Sequence, residues 1–222
     1  AENPAPAWKL MQDSGVAVYD PISKRTYKRL NIDAALALAY KERGGTPVPP
    51  ASSGPVAIPA PPAVAQTPFK GARFATGQTI QAEDFDNGGE GVAFHDVDSI
   101  NIGGSAYRGN SAVDIQDMSG GRFLAFTKAG EWNEYSLNVA KAGKFDFSAR
   151  VASYKPGGTF HVEVDGVNVT GTLTNPSTGG WQSWVTIGKK SISLSAGKHV
   201  VRLKMDTAGR LGYIGNFDYF SF

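Results

Sequence analysis

The stretch GEWNEYSLNV, residues 130–139, decides how the rest of the chain is read. Trp132, Tyr135, Leu137 and Val139 interleave with polar residues after a Gly-Glu start. Side chains alternate across a strand, so Tyr135, Leu137 and Val139 share one face while Glu134, Ser136 and Asn138 share the other. The spacing predicts a half-buried strand of an antiparallel sheet. Segments of the same style recur on both sides: 79–85, 91–95, 112–116, 122–126, 144–153, 159–165, 167–173, 184–194, 198–205 and 214–222. Turn chemistry separates them at Ala142-Gly143, Pro156-Gly157-Gly158, Asp165-Gly166, Gly179-Gly180 and Ala196-Gly197. Many short alternating strands joined by glycine turns predict an all-β domain over 76–222, a β-sandwich of the jelly-roll type.

The chain has 222 residues and two kinds of composition. Eleven of its 13 prolines precede residue 69, and 23 of its 27 glycines follow it. Residues 46–68 hold eight of the prolines, which predicts an extended, polyproline-type spacer within a linker over 46–75. At roughly 3 Å per residue the proline run spans about 60–70 Å. Its prolines lack an adjacent basic anchor pattern, so nothing marks it as a ligand for a proline-binding domain.

Residues 1–45 read as a small docking segment. Val16, Val18 and Tyr19 lead into the turn signal Asp20-Pro21, and Arg25-Thr26-Tyr27 follows, which suggests a hairpin. Asn31 is placed to cap a helix over 32–43, whose apolar residues Ile32, Ala35, Leu36, Ala39 and Tyr40 form one stripe before Gly44-Gly45. One hairpin and one helix cannot bury a core alone, so the segment is expected to pack on its own β domain or to dock on another protein.

Charge gives little reason to expect a nucleic-acid partner. Residues 69–222 carry 15 Lys/Arg against 15 Asp/Glu, with no basic stripe. No apolar run approaches the length of a membrane span. There is no cysteine, which removes disulfides, thiol nucleophiles and thiolate-ligated zinc. The opening AENPAPAW is compatible with a position just after a small-residue processing site.

With these residues in order, the chain resembles a known family. IQAEDF (80–85), GVAFHDVDSINIGG (91–104), YRGNSAVDI (107–115), GEWNEYSLNV (130–139), RVAS (150–153), STGGWQSW (177–184), LSAGKH (194–199) and NFDYFSF (216–222) together look like a family 6 carbohydrate-binding module. The resemblance covers 79–222 and leaves 1–68 outside it. It implies a jelly-roll sandwich that binds glycans without catalysis and carries a structural calcium ion. It also implies a sugar site in the loops at one edge, where a ring lies between two aromatic side chains beside an Asn, and a second cleft on the concave sheet face. Carried over, Trp181 is one wall, Phe126 stands where the other wall is commonly Tyr, and Asn216 is the polar anchor. The same resemblance puts the calcium at Gln81, Glu83 and Asp218.

These residue types suit that chemistry. A sugar presents an apolar C–H face and a rim of hydroxyls, so it needs flat aromatic surface and amides that donate and accept. Oxygen ligands from strand side chains, completed by loop carbonyls, suit a hard cation. Asp96 and Asp98 form a DxD pair, a weak signal for a second ion site because it lacks the glycine and terminal Glu of an EF-hand loop. One departure stands out: MDTAGRLGYIG (205–215) is longer than the family usually has there, so Arg210, Leu211 and Tyr213 are placed to reshape, extend or close the sugar site.

Glu131, Glu134, Glu163 and Asp165 are available for a glycosidase pair, but their spacing shows none, and His95, His161 and His199 stand singly. The expected function is therefore non-catalytic binding of a β-linked polysaccharide or other glycan, by an exported (extracellular or periplasmic) chain tethered through its N-terminal segment. The alternative is an accessory subunit of a larger protein complex, reached through residues 1–68, that uses the sandwich as an interaction surface. The lack of a recognisable catalytic segment favours the alternative, because such modules usually ride on enzymes.

Overall fold

A computed structural model describes residues 16–20, 25–29, 35, 39, 65–109 and 111–222. The chain divides into two compact units, Ala1–Ala60 and Pro61–Phe222. In the first, β1 (Val16–Asp20) pairs antiparallel with β2 (Arg25–Arg29), Val16 opposite Arg29 and Asp20 opposite Arg25. Of the helix expected over 32–43 only Ala35 and Ala39 are described, both helical. The proline run up to residue 64 lies outside the described residues.

The second unit is the expected sandwich. Its strands are β3 (Phe74–Ala75), β4 (Ile80–Gln81), β5 (Phe94–His95), β6 (Ile115–Met118), β7 (Gly121–Leu124), β8 (Trp132–Val139), β9 (Gly143–Ala152), β10 (Thr159–Val164), β11 (Val167–Asn168), β12 (Leu173–Thr174), β13 (Val185–Leu194), β14 (Gly197–Thr207) and β15 (Asn216–Ser221). One sheet runs β11-β10-β14-β8-β3, with β12 on β10 and β5 on β8. The other runs β13-β9-β15-β7-β6, with β4 on β15.

Period-2 patterning sets the layers. Along β14, Val201, Leu203 and Met205 are buried while Val200, Arg202 and Lys204 alternate outward. The two inner faces meet through Phe160 on Phe217, edge to face at 4.9 Å, and Tyr135 on Phe220 at 4.8 Å. Burying such side chains contributes about 1.5–3 kcal/mol each. The Tyr135 hydroxyl donates to Ala82 O at 2.7 Å, so its buried polar end is satisfied. Asp165 and Gly166 both have positive φ (50° and 78°), the mirror-image turn that Asp-Gly favours, and they join β10 to β11.

Three local expectations are corrected. β8 is not half-buried: Glu134 and Ser136 on its outer face are buried too. The side chain of Asp86 acts as a strand partner there, accepting from Ser136 N at 3.1 Å and Ser136 Oγ at 2.7 Å. Residues 73–75, expected within the linker over 46–75, belong to the sandwich instead. Phe74 and Ala75 pair in parallel with Leu137 and Asn138, and Arg73 donates to His199 O at 3.0 Å. Finally, β7 ends at Leu124, so Phe126 lies outside any strand, with φ of 51°.

Candidate functional site

Four separate segments meet at one edge of the sandwich and enclose a cleft of about 470 Å³ lined by Phe126, Trp181, Gln182, Tyr213, Asn216 and Gln116. This volume falls within the range of small-molecule sites. The three residues expected at a sugar site, Phe126, Trp181 and Asn216, are brought together here.

Each wall is fixed by local structure. Trp181 follows Gly179, whose φ of 83° makes the turn. The loop is tied down by Thr178 N donating to Ser153 O at 2.8 Å and Thr178 Oγ1 donating to Gly180 O at 3.0 Å. Trp181 is 36% exposed, so it is not a core residue. Asn216 is buried and donates from Nδ2 to Trp181 O at 2.6 Å. Half of its amide thus holds the tryptophan loop. Phe126 is half-buried in the left-handed region, a conformation that costs a non-glycine residue on the order of 1 kcal/mol and gathers at binding sites. It is held because Thr127 Oγ1 donates to Gly215 O at 2.5 Å and Ile214 N donates to Thr127 O at 2.8 Å.

The long segment before Asn216 neither fills the cleft nor leaves it. Gly209 N donates to Tyr213 O at 2.9 Å, Arg210 N to Pro156 O at 2.9 Å, and Ile214 is fully buried. Tyr213 is thereby presented as a third wall, edge-on to Phe126 at 5.7 Å and to Trp181 at 6.2 Å. Leu211 and Arg210 stay exposed and do not line the cleft. Sequence reasoning missed Gln116 and Gln182 as lining residues. Gln182 follows Trp181 directly, a signal that could have found it; Gln116 has none.

Gln81, Glu83 and Asp218 also come together, in a separate polar depression with the turn at Gly120 and Gly121. β4 and β15 place them: Gln81 lies opposite Tyr219, and Ala82 N donates to Asp218 O at 2.9 Å. Glu83 is buried and its Oε2 has no hydrogen-bond partner among the described residues. Burial, with Asp84 and Asp218 adding, pushes the Glu83 carboxyl up to about 7. Arg150 pairs with Asp218 at the edge of the depression. An orphaned buried oxygen beside a second carboxylate and an amide fits a hard cation.

The remaining acidic residues and histidines are engaged elsewhere. Glu134 and Glu163 share Arg202, and His161 bridges Asp206 and Glu163 at 2.8 and 3.1 Å. His95 pairs with Glu90. Glu131 lies with Asp96 and Asp98. His199 mimics a catalytic triad, with Nδ1 on Asp165 Oδ2 at 2.7 Å and Nε2 3.5 Å from Ser195 Oγ. Its Nε2 donates to Ser195 O at 3.0 Å, so the nitrogen facing Ser195 Oγ is committed as a donor and does not accept that hydroxyl's proton. Among the described residues, no carboxylate lines the aromatic cleft.

Comparison with known proteins agrees with this architecture. The sandwich is similar to a family 6 module of Clostridium stercorarium solved with cellobiose, with a TM-score of 0.50, 18% identity, and coverage of 68% of this chain and 97% of that one. It is also similar to the module CBM6cm-2 of Cellvibrio mixtus lichenase 5A, solved with cellotriose, at 29% identity and a TM-score of 0.46 over 66% and 95% of the two chains. Over 91 residues the chain is 35% identical to the clotting factor G alpha subunit of Tachypleus tridentatus, covering 39% of this chain and 14% of that protein. It therefore spans only a small part of that relative's length. Residues 103–222, more than half of the sequence, match the carbohydrate binding module family 6, and the chain belongs to that family.

Proposed function

We propose that the aromatic cleft binds one sugar ring of a β-linked polysaccharide without catalysis, with Trp181 and Phe126 as stacking walls and Tyr213 as a third contact. The observation that carries this reading is Trp181: a large aromatic residue, more than a third exposed, lining a cleft whose other surfaces are Phe126, Tyr213 and three amides. Flat apolar surface takes the C–H face of the ring, and the amides of Gln116, Gln182 and Asn216 meet its hydroxyls. With Nδ2 of Asn216 bonded to Trp181 O, its Oδ1 is the half left for a ligand hydroxyl, so Asn216 serves as an acceptor.

We assign a structural calcium ion to Gln81, Glu83 and Asp218, supported by the orphaned Glu83 oxygen. The ion would join β4 to β15 away from the cleft and take no part in sugar contact. Residues 1–68 are assigned as the tether, and the chain as exported, since polysaccharides of this kind lie outside the cytoplasm.

Isothermal titration of the full chain with xylo-, cello- and laminari-oligosaccharides tests the reading. Binding to one series is expected, weakened about thirtyfold or more by Trp181→Ala. Binding that survives this substitution unchanged would place the sugar elsewhere. No binding to any glycan would leave the fold without this ligand and favour an accessory role in a larger assembly.

A further inference from the structure

We propose that Asp96, Asp98 and Glu131 form a second divalent-cation site, of calcium-like chemistry, where the segment following Phe126 meets the segment after β5. The three residues each offer a carboxylate oxygen, and these atoms lie within 4.8 Å of one another. That is about twice a calcium–oxygen distance, the widest separation two oxygens on one calcium ion can have. All the side-chain donors are carboxylates, with no histidine or sulfur, so the site selects a hard cation.

Unpartnered buried groups point to a ligand independently. Glu131 is only 4% exposed; its Oε2 accepts from Lys128 N at 2.8 Å, and its Oε1 has no partner among the described residues. Asp114, 2% exposed, stands beside the cluster and repels Asp96 and Glu131. Its Oδ1 accepts from Ile102 N at 2.5 Å, and its Oδ2 is also without a partner. Buried carboxylate oxygens are seldom left without a partner unless an ion or water completes them. Among the described residues one cation, Lys128, stands against these four carboxylates, and it pairs with Asp98. With all four ionised the local charge is far from balanced; burial pushes the Asp96, Asp114 and Glu131 carboxyls up, and a divalent ion would hold them ionised.

The position gives the ion a role. Asp96 and Asp98 lie just after β5, and Glu131 lies just before β8. The segment 127–131 follows directly on Phe126. Gly130 N donates to Met205 O at 2.9 Å, which fixes the far end of that segment to β14. An ion across Asp98 and Glu131 would clamp that same end to the segment after β5 and, because Glu131 Oε2 accepts from Lys128 N, would steady the turn that follows Phe126.

Ion counting tests this independently of any sugar. The full chain is stripped with chelator, dialysed against radiolabelled calcium and titrated, alongside the Glu83→Gln, Asp98→Asn and Lys128→Met variants. The wild type is expected to bind two ions. Asp98→Asn should lose one, or weaken it by about tenfold or more, without touching the ion removed by Glu83→Gln. Lys128→Met, which removes the competing charge, should bind the second ion about tenfold more tightly, an effect that loss of folding cannot imitate. If Asp98→Asn and Lys128→Met leave both the ion count and the affinities at wild-type values, or if Glu83→Gln alone abolishes all binding, the second site does not exist. If Asp98→Asn loses an ion and Glu83→Gln does not, this site stands and the calcium assigned to Glu83 falls.

Discussion

Two regions of this molecule carry aromatic side chains surrounded by polar groups, and they behave as opposites. On the outer face of β8 and β14, Trp132 lies under the Arg202 guanidinium at 4.3 Å. Arg202 in turn donates to Glu134 at 2.8 Å, and Glu163 takes Arg202, Lys204 and His161. Arg202, Glu134, Glu163, Lys204 and His161 are committed to one another, and the indole face is covered by charge. In the loop cleft, Trp181 is exposed, its neighbours are uncharged, and amides remain at the rim. A binding site is thus distinguished less by which residue types are present than by whether their interactions are already closed on one another.

Breaking the closed network should cost the most. Arg202→Met leaves Glu134 and Glu163 facing each other without their shared cation. Removing one partner of a buried ion pair costs about 3–5 kcal/mol, and the partial exposure of Arg202 reduces this to about 2–3 kcal/mol. Urea denaturation should show that loss, while glycan affinity stays within about twofold of wild type.

A smaller effect sharpens the other side of the comparison. Tyr213→Ala should weaken glycan binding by about tenfold with little change in the melting temperature, because the tyrosine touches both walls but is not part of the core. Trp132→Ala should leave the affinity within about twofold. A large loss from Trp132→Ala would show that the sheet face, not the loop cleft, holds the sugar.

The smallest expected effect concerns His199, another polar group closed on its neighbours. Its bond to Asp165 raises its folded pKa above the ordinary value of 6.5. The folded state then binds the proton more tightly than the unfolded chain does. Its contribution is fully present below about pH 6.5 and is lost as pH rises through the raised folded value. Melting temperatures across that window should fall slightly in the wild type, and His199→Asn should lack this component. The proton resonances of the ring would give the folded pKa directly.

Much of the sandwich was legible because strands announce themselves locally. Tyr135, Leu137 and Val139 alternate with polar residues and all three are buried in the core. Asp165-Gly166 requires two positive φ angles and has them. The errors arose where the determining partner was distant. Phe74 and Ala75 form too short a strand to show any period, and only β8 beside them reveals that they belong to the sheet. Ser136 was placed on a solvent face because nothing in its own segment foretells the carboxylate of Asp86.

The sequence by itself determined the all-β layering, the turns and the residues from which a cleft could be built, since period-2 burial and glycine turns depend on near neighbours. Only the tertiary structure decided the rest. It set Tyr213 between Phe126 and Trp181, turned the Asn216 amide to hold the tryptophan loop, and gathered Asp96, Asp98 and Glu131 around one point. The physical reason is that loops take their conformation from the elements they bridge, so side chains far apart in the chain meet only once both sheets have packed.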